Sequence, residues 1–514
     1  MKKNILTLSL AVILTACGGT KTETSVAKKP KANPEDYAAT ITQEDLKKHL
    51  YKYASDEFEG RNTGEKGQKM AVEYLKNQYL ALGIGSPYNG DDYFQEVPLE
   101  KPSVSSAQIS VDGQAFEAFK DHIVLSLSKS LDVKASEIVN VGYGIDSENY
   151  SDYKDKNVKG KIVFAKAGEP KDVNGNYVTS GTTEDTKWTN GRQSLSSKRN
   201  AAIDNGAKTL IYFDGGLFTR YAPFYQRQAE SGSSGRLSLK SANDEFAFIM
   251  VNESVSKAIE NSSNPKITIS AERKAEEVMS ENVVAFIKGT EKPDEILVIS
   301  AHLDHEGIKD GEVYNGADDD GSGTVAILEI AEAFQKAIKD GYQPKRSILF
   351  LHVTGEEKGL LGSRYYTDID PIFPLKNTVA DLNIDMIGRI DPKRKEGDRN
   401  YVYLIGSDKL STELHNLSED VNKKYTNVEL DYTFNDENDK NRYYYRSDHY
   451  NFAKNNVPVI FYFNGTHDDY HRPSDTPDKI EYDLLENRTR LVFHTAWELA
   501  NRENRPVVDK PIEK

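Results

Sequence analysis

Four short apolar runs in the second half of the chain, residues 295–300, 346–353, 379–384 and 457–463, limit what this sequence can fold into. Each is dominated by apolar residues, and stretches with helical spacing separate them. A strand that is apolar on both faces needs cover on both faces. The runs therefore predict an α/β architecture, a doubly wound, mostly parallel sheet flanked by helices. Ligands of such sheets gather at the carboxyl ends of the strands. There the first run meets His302-Leu303-Asp304-His305 and the second Gly355-Glu356-Glu357. The third meets Asp385, and the fourth Tyr470-His471-Arg472-Pro473-Ser474-Asp475. Imidazoles and carboxylates without a thiolate suit zinc, with manganese or cobalt as lesser alternatives.

A fifth loop sets three consecutive aspartates, Asp318, Asp319 and Asp320, between glycines. It stands directly ahead of a helical face carrying Ile327, Ala331, Phe334 and Ile338. Adjacent like charges repel, and capping the helix uses only one carboxylate. The loop lacks the alternating ligands of an EF-hand calcium site. A carboxylate that bridges two cations would account for the excess. Taken singly, each feature has an ordinary explanation. A histidine at a strand end is usually structural, and a Glu-Glu pair is usually a solvated helix start. Their joint position at the ends of one sheet points to a single metal centre.

At 514 residues the chain is too long for one core, so two domains are expected. A formal charge of −15 argues against nucleic acid or an anionic membrane surface as a non-specific partner. At the N-terminus, Lys2 and Lys3 precede an apolar stretch at 5–14, followed by Leu14-Thr15-Ala16-Cys17. This resembles a bacterial lipoprotein signal peptide (1–17), in which Cys17 carries the lipid. The apolar run is too short to span a bilayer, and Cys17 is the only cysteine, so no disulfide forms within one chain. Residues 18–36 read as a flexible tether. A helix around Ala71, Tyr74, Leu75 and Leu82 is closed by Gly83. Residues 101–275 are β-rich, and 184–232 within them are polar, Gly/Ser-rich and expected to be loop-like.

Five motifs occur in order: HLD (302–304), GADDDGSG (316–323), GEEKGLLGS (355–363), NIDMIG (383–388) and YHRPSDT (470–476). Together they resemble those of the co-catalytic dizinc aminopeptidases of the bacterial leucyl aminopeptidase and aminopeptidase Y type. Glutamate carboxypeptidase and the transferrin receptor are distant relatives of that family. The likeness covers residues 37–98 and 282–502. Residues 101–275 resemble an inserted protease-associated domain through Val141-Gly142-Tyr143-Gly144 and residues 158–163 and 198–208.

The resemblance implies a zinc exopeptidase fold. Catalytic segments at 37–100 and 276–504 enclose the β-rich insert, and a C-terminal tail occupies 505–514. It implies two Zn²⁺ per chain: Asp319 bridges them, His302 and Asp385 complete one, and Glu357 and His471 complete the other. Asp318 and Asp320 are left to shape the turn and the helix start, and the peptide bond after Asp319 is expected to be cis. Asp304 and Asp475 are expected to accept an N–H from His302 and His471, fixing each tautomer. Glu356, beside a ligand but at no ligand position, is the expected general base for removing N-terminal residues from peptides. Arg446, Ser447, Asp448 and His449 match a segment that lines the substrate pocket. His305 and His467 fall off the family's ligand positions and are expected not to bind metal.

Three rivals follow. A carboxypeptidase or dipeptidase would keep the metals and need a cationic pocket for the substrate carboxylate, from Arg446 or Arg472. A catalytically inactive, receptor-like binding protein is disfavoured because every ligand position and the base are filled. Glutaminyl cyclases share the fold and use a single zinc. The expected partners are peptides and, through Cys17, the membrane of the cell envelope. The oligomeric state is not legible in the sequence.

Overall fold

The computed structural model describes residues 32–512, apart from 89, 233–234 and 241–245. The signal peptide, Cys17 and residues 18–31 lie outside the described residues. Nine strands form the larger sheet, in the order Glu429–Asp431, Tyr401–Ile405, Val459–Phe463, Thr378–Ile384, Lys292–His302, Arg346–Val353, Ala275–Ile287, Phe94–Pro102 and Ser238–Leu239. The four apolar runs are neighbours at its centre and run parallel. Their flanks pair antiparallel.

Every residue of Arg346–Val353 and Thr378–Ile384 is buried, as strands between two helix layers require. One layer contains Gly323–Lys339 and Tyr482–Asn501, where the Phe334 ring lies 5.1 Å from Phe493 and 5.7 Å from Trp497. On the other side Tyr366 and Phe452 pack against Val298, Leu349 and Val353. The helix Lys66–Leu82 buries Ala71 and Leu75 and ends on Gly83, whose left-handed conformation (φ 75°) closes the last turn.

The insert leaves and rejoins the body at one edge of the sheet, because Phe94–Pro102 and Ala275–Ile287 pair with each other along their length. Between them the chain builds a separate eight-stranded sheet running from Gln114–Phe116 at one edge to His122–Leu127 at the other. Residues 184–232 are not the expected loop: they hold the helices Gly191–Asp204 and Gly215–Ser231. Each helix presents only a narrow apolar stripe to the sheet, through Ala201, Ala202, Phe218 and Ala222, so its composition stays polar. Ser238–Leu239 then crosses back to pair with Leu99 and Glu100 in the nine-stranded sheet.

Two boundaries differ from expectation. Pro34–Ala38 is already helical, and the Tyr37 ring stacks on Trp497 at 5.5 Å, so the folded body begins before residue 37. The C-terminal tail at 505–514 packs on the body over its described residues. Arg505 donates to the carbonyls of Lys376 and Thr378, and the Asp509 N–H donates to Leu410. Among the described residues no helix is long and apolar enough to cross a membrane.

Candidate metal centre

The central strands deliver their chemistry at the same end of the sheet. His302 closes Lys292–His302, Glu356 and Glu357 follow Arg346–Val353, and Asp385 follows Thr378–Ile384. His471 sits in the loop after Val459–Phe463, in a left-handed backbone conformation (φ 54°) that is rare for a residue with a Cβ. Its ring stacks on Tyr470 at 3.9 Å.

The aspartate triplet divides its work by geometry. Asp320 is consumed by the backbone: Oδ1 accepts the N–H groups of Gly323 and Met386, and Oδ2 that of His302. A Cβ on residue 323 would lie 2.5 Å from Asp320 Oδ1, so only glycine allows this approach. Asp318 accepts the Gly388 N–H on Oδ1 and holds His467 Nε2 at 3.2 Å on Oδ2. Asp319 is different. Its Oδ1 lies 3.1 Å from His302 Nε2, and its Oδ2 lies 3.1 Å from His471 Nε2. The Asp319–Asp320 peptide bond is cis.

Asp385 Oδ1 lies 3.7 Å from His302 Nε2, while its Oδ2 accepts the Ser447 hydroxyl at 2.7 Å. Glu357 Oε2 lies 3.1 Å from His471 Nε2. His302 and Asp319 are 1% and 3% exposed, so these charges sit in a low-dielectric environment. Burial opposes the charged form of His302, yet the Asp319 and Asp385 carboxylates outweigh it and raise its pKa well above the ordinary value. Burial likewise opposes ionisation of Glu357, but His305 and His471 hold its carboxyl down to about 2. Glu356 goes the other way: burial, with Glu357, Asp385 and Asp448 nearby, pushes its carboxyl well above the usual range. Three buried donor atoms in this cluster, Asp319 Oδ2, Glu357 Oε1 and His305 Nδ1, have no hydrogen-bond partner among the described residues. Side by side, orphaned and negatively charged on balance, they fit a cation that completes them.

The supporting residues depart from expectation. His302 Nδ1 lies 3.0 Å from the backbone carbonyl of Asp304, not on its carboxylate, which is 3.8 Å away. That carboxylate instead accepts the Thr63 hydroxyl and the Glu356 N–H, tying the Glu356 loop to the first strand end. Asp475 does not take an N–H from His471. It accepts the backbone N–H groups of Asp318 and Asp319 at 3.0 and 3.2 Å, and so positions the triplet.

The segment expected to line the pocket splits in two. Arg446 and Ser447 border a cleft with Asp319, Glu356, Asp385 and Tyr470. Asp448 is buried against the Ser363 hydroxyl, and His449 stacks on Phe461 at 4.6 Å behind that cleft. Arg61 was not expected at all. Fully buried, its guanidinium donates to the carbonyls of Tyr53, Leu303, Asn315 and Gly316, clamping two motif loops together. The only trace of this in the sequence is an arginine between glycines at 60–64.

Residues 282–496 match Peptidase family M28. The chain is 34% identical over 105 residues to "Probable glutamate carboxypeptidase LAMP1" of Arabidopsis thaliana, covering 20% of this chain and 14% of that protein. It is 32% identical over 122 residues to "Aminopeptidase NAALADL1" of Mus musculus, covering 24% and 15%. The matches thus span 14% and 15% of those relatives' own lengths. Among solved structures, the chain is similar to the aminopeptidase from Aneurinibacillus sp. strain AM-1, at 20% identity and a TM-score of 0.46 over 94% of this chain and 99% of that one.

Proposed function

We propose that this chain, whose residues 282–496 match peptidase family M28, is an aminopeptidase in which Asp319 would be shared by two zinc ions. One observation carries the reading: the buried Asp319 carboxylate offers each oxygen, at 3.1 Å, to a different histidine from a different strand end. His302 and Asp385 would hold one ion, and Glu357 and His471 the other. Zinc held there would polarise a scissile carbonyl and make a water molecule acidic enough to attack it. Glu356 would take that water's proton on its carboxylate and pass it to the departing amine. Asp304, holding the Glu356 N–H, would fix where the base stands.

Arg446 at the edge of the cleft favours a second reading, a carboxypeptidase or dipeptidase in which the guanidinium takes a terminal carboxylate. Digestion of one peptide in free, N-acetylated and C-amidated forms separates the two. The aminopeptidase cleaves the free and amidated forms and leaves the acetylated one intact. The reverse preference overturns it in favour of the carboxypeptidase. Metal-loaded protein that cleaves none of the three supports the receptor-like binding protein.

Localisation rests on the sequence. Lys2, Lys3, the short apolar stretch and the lone Cys17 support a lipid-anchored protein of the bacterial cell envelope. Cys17→Ser should move the enzyme from the membrane fraction to the soluble fraction with kcat unchanged, because it removes the lipid attachment and the candidate ligands and base all lie between residues 302 and 471. Wild-type protein with an unmodified Cys17 overturns this.

A further inference from the structure

His305 was expected not to bind metal. The cluster around it says otherwise. Its side chain is fully buried, and its Nδ1 lies 2.9 Å from Glu357 Oε1 and 3.7 Å from Asp319 Oδ2. At 2.9 Å an N–H aimed at an oxygen would be a hydrogen bond. Here neither atom counts one: Nδ1 and Oε1 both stand without a partner, and so does Asp319 Oδ2. One ligand atom from each of His305, Asp319 and Glu357 lies within 4.8 Å of the other two, close enough for one cation to take all three. Around a tetrahedral zinc, with bonds of about 2.0–2.1 Å, neighbouring ligand atoms lie about 3.3 Å apart. The spacings here, 2.9 and 3.7 Å from His305 and 3.1 Å from His471 Nε2 to each carboxylate, bracket that value.

The surroundings hold the ring in this attitude. The His305 backbone N–H donates to the Arg61 carbonyl, next to a β-bridge with Asn62. Residue 316 is glycine at φ 52°, and a Cβ there would lie 2.5 Å from the His305 ring, so the loop is cut to fit the imidazole. The His471 ring meets it edge-on, with centroids 5.7 Å apart. The Glu357 and Asp319 carboxylates lie against this tightly packed, buried imidazole, and among the described residues neither ring nitrogen has a hydrogen-bond partner.

We propose that His305 is a further protein ligand, through Nδ1, to the ion shared by Glu357, His471 and Asp319. The inference rests on the zinc reading above. It makes the two positions unequal: four protein ligands surround one ion, whereas His302, Asp385 and Asp319 leave the other more open. The crowded position is the tighter one and fills first, and the open one is where exchange occurs.

The test uses the cobalt-substituted wild-type protein and the variants His305→Gln and His305→Ala, with the fold checked by circular dichroism. Proton NMR of the cobalt protein should show three strongly shifted, solvent-exchangeable imidazole N–H signals, from His302, His471 and His305, and the His305→Gln spectrum should show two. Equilibrium zinc titration should show two unequal steps in wild type, with the tighter one weakened at least about tenfold in either variant. Two shifted signals in wild type, or zinc affinity unchanged in a folded variant, overturn the ligand role. Uptake of one cobalt by wild type overturns the dinuclear reading instead. The His305 signal then decides this inference alone: its presence upholds the inference and its absence overturns it. If both variants misfold, the wild-type signal count decides in the same way.

Discussion

Glu356→Gln leaves fold and metal content intact and lowers kcat by roughly 10²- to 10⁴-fold, the range for a lost general base. The substitution keeps the side chain's size and its backbone N–H bond to Asp304, and removes only the oxygen able to hold a proton. Glu357→Gln, one residue on, has a different result. Its carboxylate stands 3.1 Å from His471 and 2.9 Å from His305, and an amide there is a poor zinc ligand, so metal occupancy falls together with activity. Metal analysis beside steady-state kinetics separates the two. Loss of metal in Glu356→Gln with retention in Glu357→Gln would mean the roles are reversed. Near-normal activity in both would put the active site elsewhere.

Removal of zinc by a chelator abolishes activity, and zinc or cobalt restores it. The apo protein also melts at a lower temperature. A site saturated at 100–1,000 times its Kd adds about 2.7–4.1 kcal/mol to the folded state, and that contribution disappears with the ion. The apo cluster replaces cations with protons. Burial opposes the charged imidazoles, but Asp319 and Glu357 raise His471 to about 10, and Asp319 and Asp385 raise His302. Those protons must leave before zinc binds, so apparent affinity rises with pH up to about 10 for His471 and falls as the medium becomes acidic. Zinc titrations at pH 6 and pH 8, in buffers of different ionisation enthalpy, measure both the shift and the protons released. Affinity that does not change between these pH values, or full activity after chelation, would sink this account.

The parts legible in the sequence are those set by short-range rules. Apolar runs covered on both faces must become interior strands. Arg346–Val353 does so at its expected residues, and the other three lie within about two residues of theirs at one end or the other, apart from the longer Lys292–His302. The helix after the triplet follows from its 3.6-residue apolar repeat, and the closure of Lys66–Leu82 from Gly83. Residues 184–232 were misread because a helix that buries one narrow stripe on a sheet needs little apolar composition, and local pattern then resembles a loop.

Which atoms meet at the centre depends on contacts between segments far apart in the chain, and no local rule carries that. The three aspartates are indistinguishable as sequence. Backbone N–H groups from Gly323, Met386 and His302 occupy Asp320, the Gly388 N–H takes one oxygen of Asp318 while the His467 ring lies 3.2 Å from the other, and Asp319 stands between His302 and His471. Asp475 supports the triplet, not His471, because the loop from Val459–Phe463 brings its carboxylate under the backbone of Asp318 and Asp319. The role of Arg61 and the surroundings of His305 were illegible for the same reason: Arg61 meets carbonyls up to 255 positions away, and His305 meets a glutamate on a neighbouring strand's loop. The sequence alone determined a both-sides-covered α/β sheet with acids and imidazoles at its strand ends. The tertiary structure decided which of those groups the backbone satisfies and which it leaves free, because hydrogen-bond satisfaction in a buried site is settled by every segment that packs there.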